Sequence, residues 1–263
     1  MKPVTFLTIG GALAVAGLVW QMPSDAPPTG NAPAGSAPAT IGSTPSIGGA
    51  QAPDTAQAEP RIMASRLFIG RDSFPPESFA AYGVLAFQTL ATNEDEARYV
   101  AICEAFFTVL ADATGMAAEP DVQMVTVWPI DDRDDPALPE TLNATRAQDG
   151  DCGKAVRFHD IEVARDAILD ARNAGVSLSG RGPFLLAWAP AARKGAADAV
   201  VLSADLSSVR NAVEAQDVLR VWRDEIEGDS ALWQSGFTPE KMRIKARQIL
   251  NRYGNDFAKF FGG

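Results

Sequence analysis

Residues 21–60 carry only Met22, Ile41 and Ile47 as large apolar side chains among repeated Pro, Ala, Gly and Ser. Such a stretch cannot bury enough surface to offset its ordering entropy. It reads as a linker, and it confines folding to residues 61–263. As a flexible coil of about 40 residues it would reach roughly 35 Å.

Residues 3–20 precede the linker as an uncharged, mostly apolar run behind Lys2. As a helix, 18 residues span roughly 27 Å, the lower limit for crossing a bilayer. The run reads as a signal-anchor inserted in the inner membrane, with a cleaved signal peptide as the alternative. Ser24-Asp25-Ala26, the nearest cleavage candidate, is followed by Pro27, which disfavours cleavage. The lone positive charge at Lys2 orients the remainder outward. Arginine outnumbers lysine 17 to 6, a bias typical of GC-rich bacterial genomes, so "outward" is read as the periplasm.

The net charge of −10 argues against a nucleic-acid-coating role, which needs a cationic surface. With a single histidine, His159, no metal site can be built from several imidazoles. No cofactor motif stands out. Gly180-Arg181-Gly182 precedes a strand, whereas dinucleotide loops follow one.

Within 61–263 the pattern alternates strands and helices. Strands are expected at 82–88, 122–128 and, short, at 155–158. A hairpin is expected from 184–188 and 200–204. Helices are expected from an Asn93 cap to near Gly115, from an Asp160 cap to Ala174, over 211–227, and from Thr238 to about Phe260. The expectation is one α/β domain, with α+β as the alternative. It has two layers, a small mixed sheet of four or five strands and about four helices.

Cys103 and Cys152 in an exported domain favour a disulfide, since no Cys-x-x-Cys redox motif is present. His159 beside Asp160 is the weak catalytic candidate, although a helix-start histidine is more often structural. Asp131, Asp132, Asp134 and Asp135 are weak candidates for a hard cation, though acids in a proline-bounded loop are usually solvated. Lys241, Lys245, Arg252 and Lys259 make the last helix basic on one side, which reads first as the solvated face of a helix docked on the sheet and alternatively as a surface for an acidic partner or anionic lipid headgroups. Trp128 and Trp188 read as core rather than as a sugar platform, while Trp222 and Trp233, flanking a helix end, are open to either reading.

The leading functional expectation is a membrane-tethered periplasmic binding or scaffolding domain of an envelope assembly, with a protein partner and no evident catalysis. One alternative is a periplasmic hydrolase using His159 and acids of 129–160. The other is a soluble periplasmic ligand-binding protein.

Overall fold

The structure is a computed structural model that describes residues 61–238 and 241, apart from 77, 146–150, 179 and 197. The chain divides into two units, 1–55 and 56–263, and every described residue belongs to the second. The anchor and linker readings, and those for Lys245, Arg252 and Lys259, lie outside the described residues. Among the described residues no helix is long and apolar enough to cross a membrane.

Six strands form one mixed sheet: β1 Met63–Gly70, β2 Ala81–Ala86, β3 Ala111–Asp112, β4 Gln123–Ile130, β5 Phe184–Trp188 and β6 Val201–Asp205. Their order is β3-β1-β4-β2-β5-β6. The first four are parallel, and β5 and β6 complete the sheet as an antiparallel hairpin. Among the described residues six α-helices accompany them: α1 Glu96–Val109, α2 Leu138–Ala144, α3 Cys152–Arg157, α4 Ile161–Asn173, α5 Ala212–Glu227 and α6 Ser230–Ser235. The α/β class and the mixed sheet agree with the sequence, but the strand and helix counts exceed the expectation.

The extra elements have physical reasons. Ser65 and Arg66 interrupt the apolar run of β1, which hides a strand that is nearly all buried. Arg66 is tolerated there because its guanidinium lies 4.5 Å from the Phe107 ring centroid and 5.8 Å from that of Phe68. Burial nevertheless lowers its pKa. The short strand expected at 155–158 is instead the end of α3, because the Asp151 carboxylate caps the Lys154 N–H and starts a helix. The first helix starts after Asp95 rather than at Asn93, and it stops at Val109 because Leu110 is extended. The 129–152 connection holds α2, with a proline in its first turn.

Alternation along the strands sorts two apolar clusters onto the two faces of the sheet. Phe68, Leu85, Met124, Trp128 and Leu185 meet α1, α3 and α5. Tyr82, Val84, Val125, Val127, Leu186 and Trp188 meet α4 and the segment 71–80. All four tryptophans considered above are buried, and the Trp222 indole donates to Thr126 Oγ1 at 3.0 Å. Gly83 makes room for this contact: a Cβ there would sit 3.2 Å from both the Trp222 ring and the Leu186 carbonyl oxygen.

Cys103 and Cys152 are joined by a disulfide that ties α3 to α1. The outer edge of β1 is closed by side chains. The Asn143 amide accepts from Phe68 N–H and donates to Phe68 C=O, both at 2.8 Å. Ser230 Oγ accepts from Ile62 N–H, and Glu227 Oε1 from Ala64 N–H.

Candidate functional site

Two places gather polar or accessible groups. The first is the carboxyl edge of the parallel strands, where open α/β sheets usually hold ligands. Strand β4 ends at Ile130, which forms a bridge with His159. Asp131 N–H donates to the Phe158 carbonyl, and Asp160 N–H donates to that of Pro129. This pairing brings His159, Asp160, Asp131 and Asp132 together with Arg71, the residue after β1. Arg71 lacked any sequence signal.

Arg71 grips Asp160 with two nitrogens, Nε to Oδ2 at 2.7 Å and Nη2 to Oδ1 at 3.0 Å. Its Nη1 reaches Glu162 Oε2 at 2.6 Å. The hydrogen bonds to Asp160 raise the Arg71 pKa. Asp160 Oδ1 also caps α4, accepting from the N–H groups of Glu162 and Val163, as its sequence position suggested. The carboxylate is therefore fully engaged, and the cluster joins the end of β1 to the start of α4. Asp160→Asn would keep the cap acceptor and lose the fork. It is expected to cost about 2 kcal/mol of unfolding free energy in urea titrations, since Arg71 stays partly solvated and keeps Glu162.

The acids of 131–135 do not converge. Asp131 is ion-paired with Arg133, whose hydrogen bond lowers its pKa. Asp132 accepts weakly from Arg71 N–H at 3.4 Å, and Asp134 and Asp135 are exposed. Among the described residues no three His, Cys, Asp or Glu side chains are grouped to hold a metal.

His159 is 2% exposed and packs on Phe87, with ring centroids 4.3 Å apart, and edge-on to Trp128. Its Nε2 accepts from Phe87 N–H at 3.4 Å, which leaves the proton on Nδ1, and Nδ1 has no partner. Burial lowers its pKa to about 3. The ring is thus neutral, enclosed and far too weak a base for chemistry near neutral pH.

The pH dependence follows from this. Between roughly pH 6.5 and 3 the unfolded chain binds a proton that the folded chain does not, so stability falls as pH falls. The slope is about 1.4 kcal/mol per pH unit. His159→Gln should remove it. Denaturant midpoints at pH 7, 5 and 4 for the two proteins check this, and parallel profiles would refute it.

The second place is an open cleft of about 700 Å³ on the α4 face, at the start of β2 and the end of β5. Phe74, Phe79, Tyr82, Pro75 and Pro190 line it, with Asp72 as its charged wall. Phe74 stands edge-on to Tyr82, which stacks on Trp188. The Tyr82 hydroxyl and the Trp188 indole N–H are buried without a partner. Lys194 stands over the Phe74 ring at 5.5 Å and bonds Asp170 at 2.6 Å. The run Phe74-Pro75-Pro76 was the available sequence signal for this cleft. It was missed because a proline pair between strands reads simply as a turn.

Of the basic residues Lys241, Lys245, Arg252 and Lys259, only Lys241 is described. Its N–H donates to Thr238 Oγ1 at 3.3 Å and its Nζ to Gly236 C=O at 3.4 Å. The Thr238 contact has the form of an N-cap bond, while the helix expected from Thr238 to about Phe260 lies outside the described residues.

Compared with family models, with curated proteins and with solved structures, the chain finds no match.

Proposed function

We propose that this chain is a membrane-tethered periplasmic binding or scaffolding domain of an envelope assembly, and that it recognises its partner through the cleft beside β2. One observation carries binding over catalysis. The chain's single histidine is sealed in the core as a neutral ring, away from the cleft lining, so a His-activated nucleophile in the cleft has no base. Aromatic and proline surfaces, with Asp72 the only charged residue among the described lining, suit a protein or peptide contact. The disulfide supports an oxidising compartment. The apolar run 3–20 and the linker 21–60 supply an anchor and a tether.

The test combines location and contact. Full-length protein should stay with membranes after carbonate extraction. It should be digested by protease only in spheroplasts with a permeable outer layer, and its cysteines should be blocked to thiol reagents in cells. Recovery of mature protein beginning beyond residue 26 in the soluble fraction would favour the soluble binding protein instead. A photo-crosslinking amino acid at Phe79 should yield one reproducible adduct, while the same probe at exposed Leu169 should not. Equal adducts at both positions would sink the cleft as the contact surface. His159→Gln should leave the cellular phenotype unchanged, and loss of phenotype with intact folding would revive the hydrolase reading.

A further inference from the structure

The two edges of the sheet are treated differently. On the β1 side Asn143, Ser230 and Glu227 occupy outward backbone groups, and β3 is only two residues long. On the β6 side no such closure exists among the described residues.

The register fixes which groups are left open. Leu206 N–H donates to Pro183 C=O, so residues 206, 204 and 202 face β5 with their backbone groups. Val201, Ser203 and Asp205 therefore turn their N–H and C=O groups outward. No described residue bonds those outward groups. The strand VLSAD carries no Pro, Lys or Arg, the residues that usually guard an exposed edge.

We propose that this edge pairs antiparallel with β6 of a second copy, about a two-fold axis at Ser203. The match is self-complementary. Outward residues 201, 203 and 205 of one copy meet 205, 203 and 201 of the other, each pair exchanging two bonds, about six in all. Asp205 faces Val201 rather than a second carboxylate. The Asp205 carboxylate is already held by Ser207 N–H at 2.8 Å, so it does not compete for the edge. Only serine side chains meet at the axis. Lengths agree because a strand is matched to itself, and a closed two-fold pairing leaves no further β6 edge to grow. The dimer is independent of the membrane and cleft readings.

The test uses the full-length chain in mild detergent. Wild type should sediment as a dimer. Ser203→Pro deletes an outward N–H that bonds nothing within the monomer. It should raise the dimer dissociation constant at least about ten-fold, with an unchanged circular dichroism spectrum. Ser203→Cys should form a covalent dimer on mild oxidation, because paired Cα atoms lie ~5.5 Å apart, within disulfide reach. Exposed Ser208→Cys should not. A monomeric wild type, a Ser203→Pro dimer of undiminished strength, or equal crosslinking at 203 and 208 would each overturn the proposal. Crosslinking of Ser203→Cys to a different protein, with no homodimer, would overturn it as well. If Ser203→Pro fails to fold, the cysteine pair decides alone.

Discussion

Replacing both Cys103 and Cys152 with alanine should lower the unfolding free energy by about 4 kcal/mol, more than any other substitution in the chain considered for its stability. The bond joins residues 49 apart, and a closed loop of that size restricts the unfolded chain by about this amount. The loss should not be confined to entropy. Cys152 opens α3, and α3 leads into Phe158 and His159, which hold the end of β4. Freed from α1, this segment would loosen the carboxyl edge first. Guanidinium titrations of the oxidised, reduced and double-alanine proteins measure the effect. A difference below about 1 kcal/mol would show that the disulfide merely decorates an interface that packing already fixes. Amide exchange should rise at Asp131 and Asp160 before it rises at Val84 or Leu186.

Asn143→Ala should cost about 3 kcal/mol. Asn143 lies 9% exposed on α2 and acts as a one-residue strand against β1, answering both backbone groups of Phe68. Phe68 is 1% exposed and packs on Phe106, Phe107 and Trp128, so water cannot replace the amide. Orphaning a buried donor and a buried acceptor costs about 1–3 kcal/mol each, reduced by whatever local relaxation allows. Asn143→Asp is a sharper probe. It keeps an acceptor for Phe68 N–H but sets a carboxylate oxygen against Phe68 C=O, and it should be at least as destabilising as alanine at pH 7. Recovery of Asn143→Asp stability on acidification would point to protonation restoring the missing donor. A loss below about 1 kcal/mol for Asn143→Ala would mean that the edge of β1 is wetter than its burial implies.

What was legible in the sequence was local. Asp160 announced α4 because a carboxylate before an apolar-periodic run has one common use, and the structure gives it that use. The hairpin of β5 and β6 followed from two short apolar runs around a glycine-containing turn. What was not legible depended on partners far along the chain. β1 was not legible because Arg66 interrupts its apolar run, and the ring that accepts it, Phe107, lies in α1. The short segment 155–158 suits a strand or a helix equally, and only the Asp151 cap decides. At the carboxyl edge the sequence supplied His159 and Asp131 as separate candidates. Their meeting with Arg71 depends on the pairing of Ile130 with His159, and that pairing also seals the imidazole away from solvent. The cleft escaped notice because its floor and its walls come from β2, the 71–80 segment and the end of β5.

The strand order carries a consequence for how the chain acquires its structure. β1 and β2 are neighbours in sequence, but β4 lies between them and pairs with both. As the chain emerges from its N-terminal end, its first two strands face a gap one strand wide. They cannot zip together until residues 123–130 arrive to fill it. A nascent chain shorter than this has only the two-residue β1–β3 ladder to build, so most of the parallel sheet waits for β4. The assembly step is thus the late insertion of β4, and its rate should be governed by long-range closure rather than by any local hairpin.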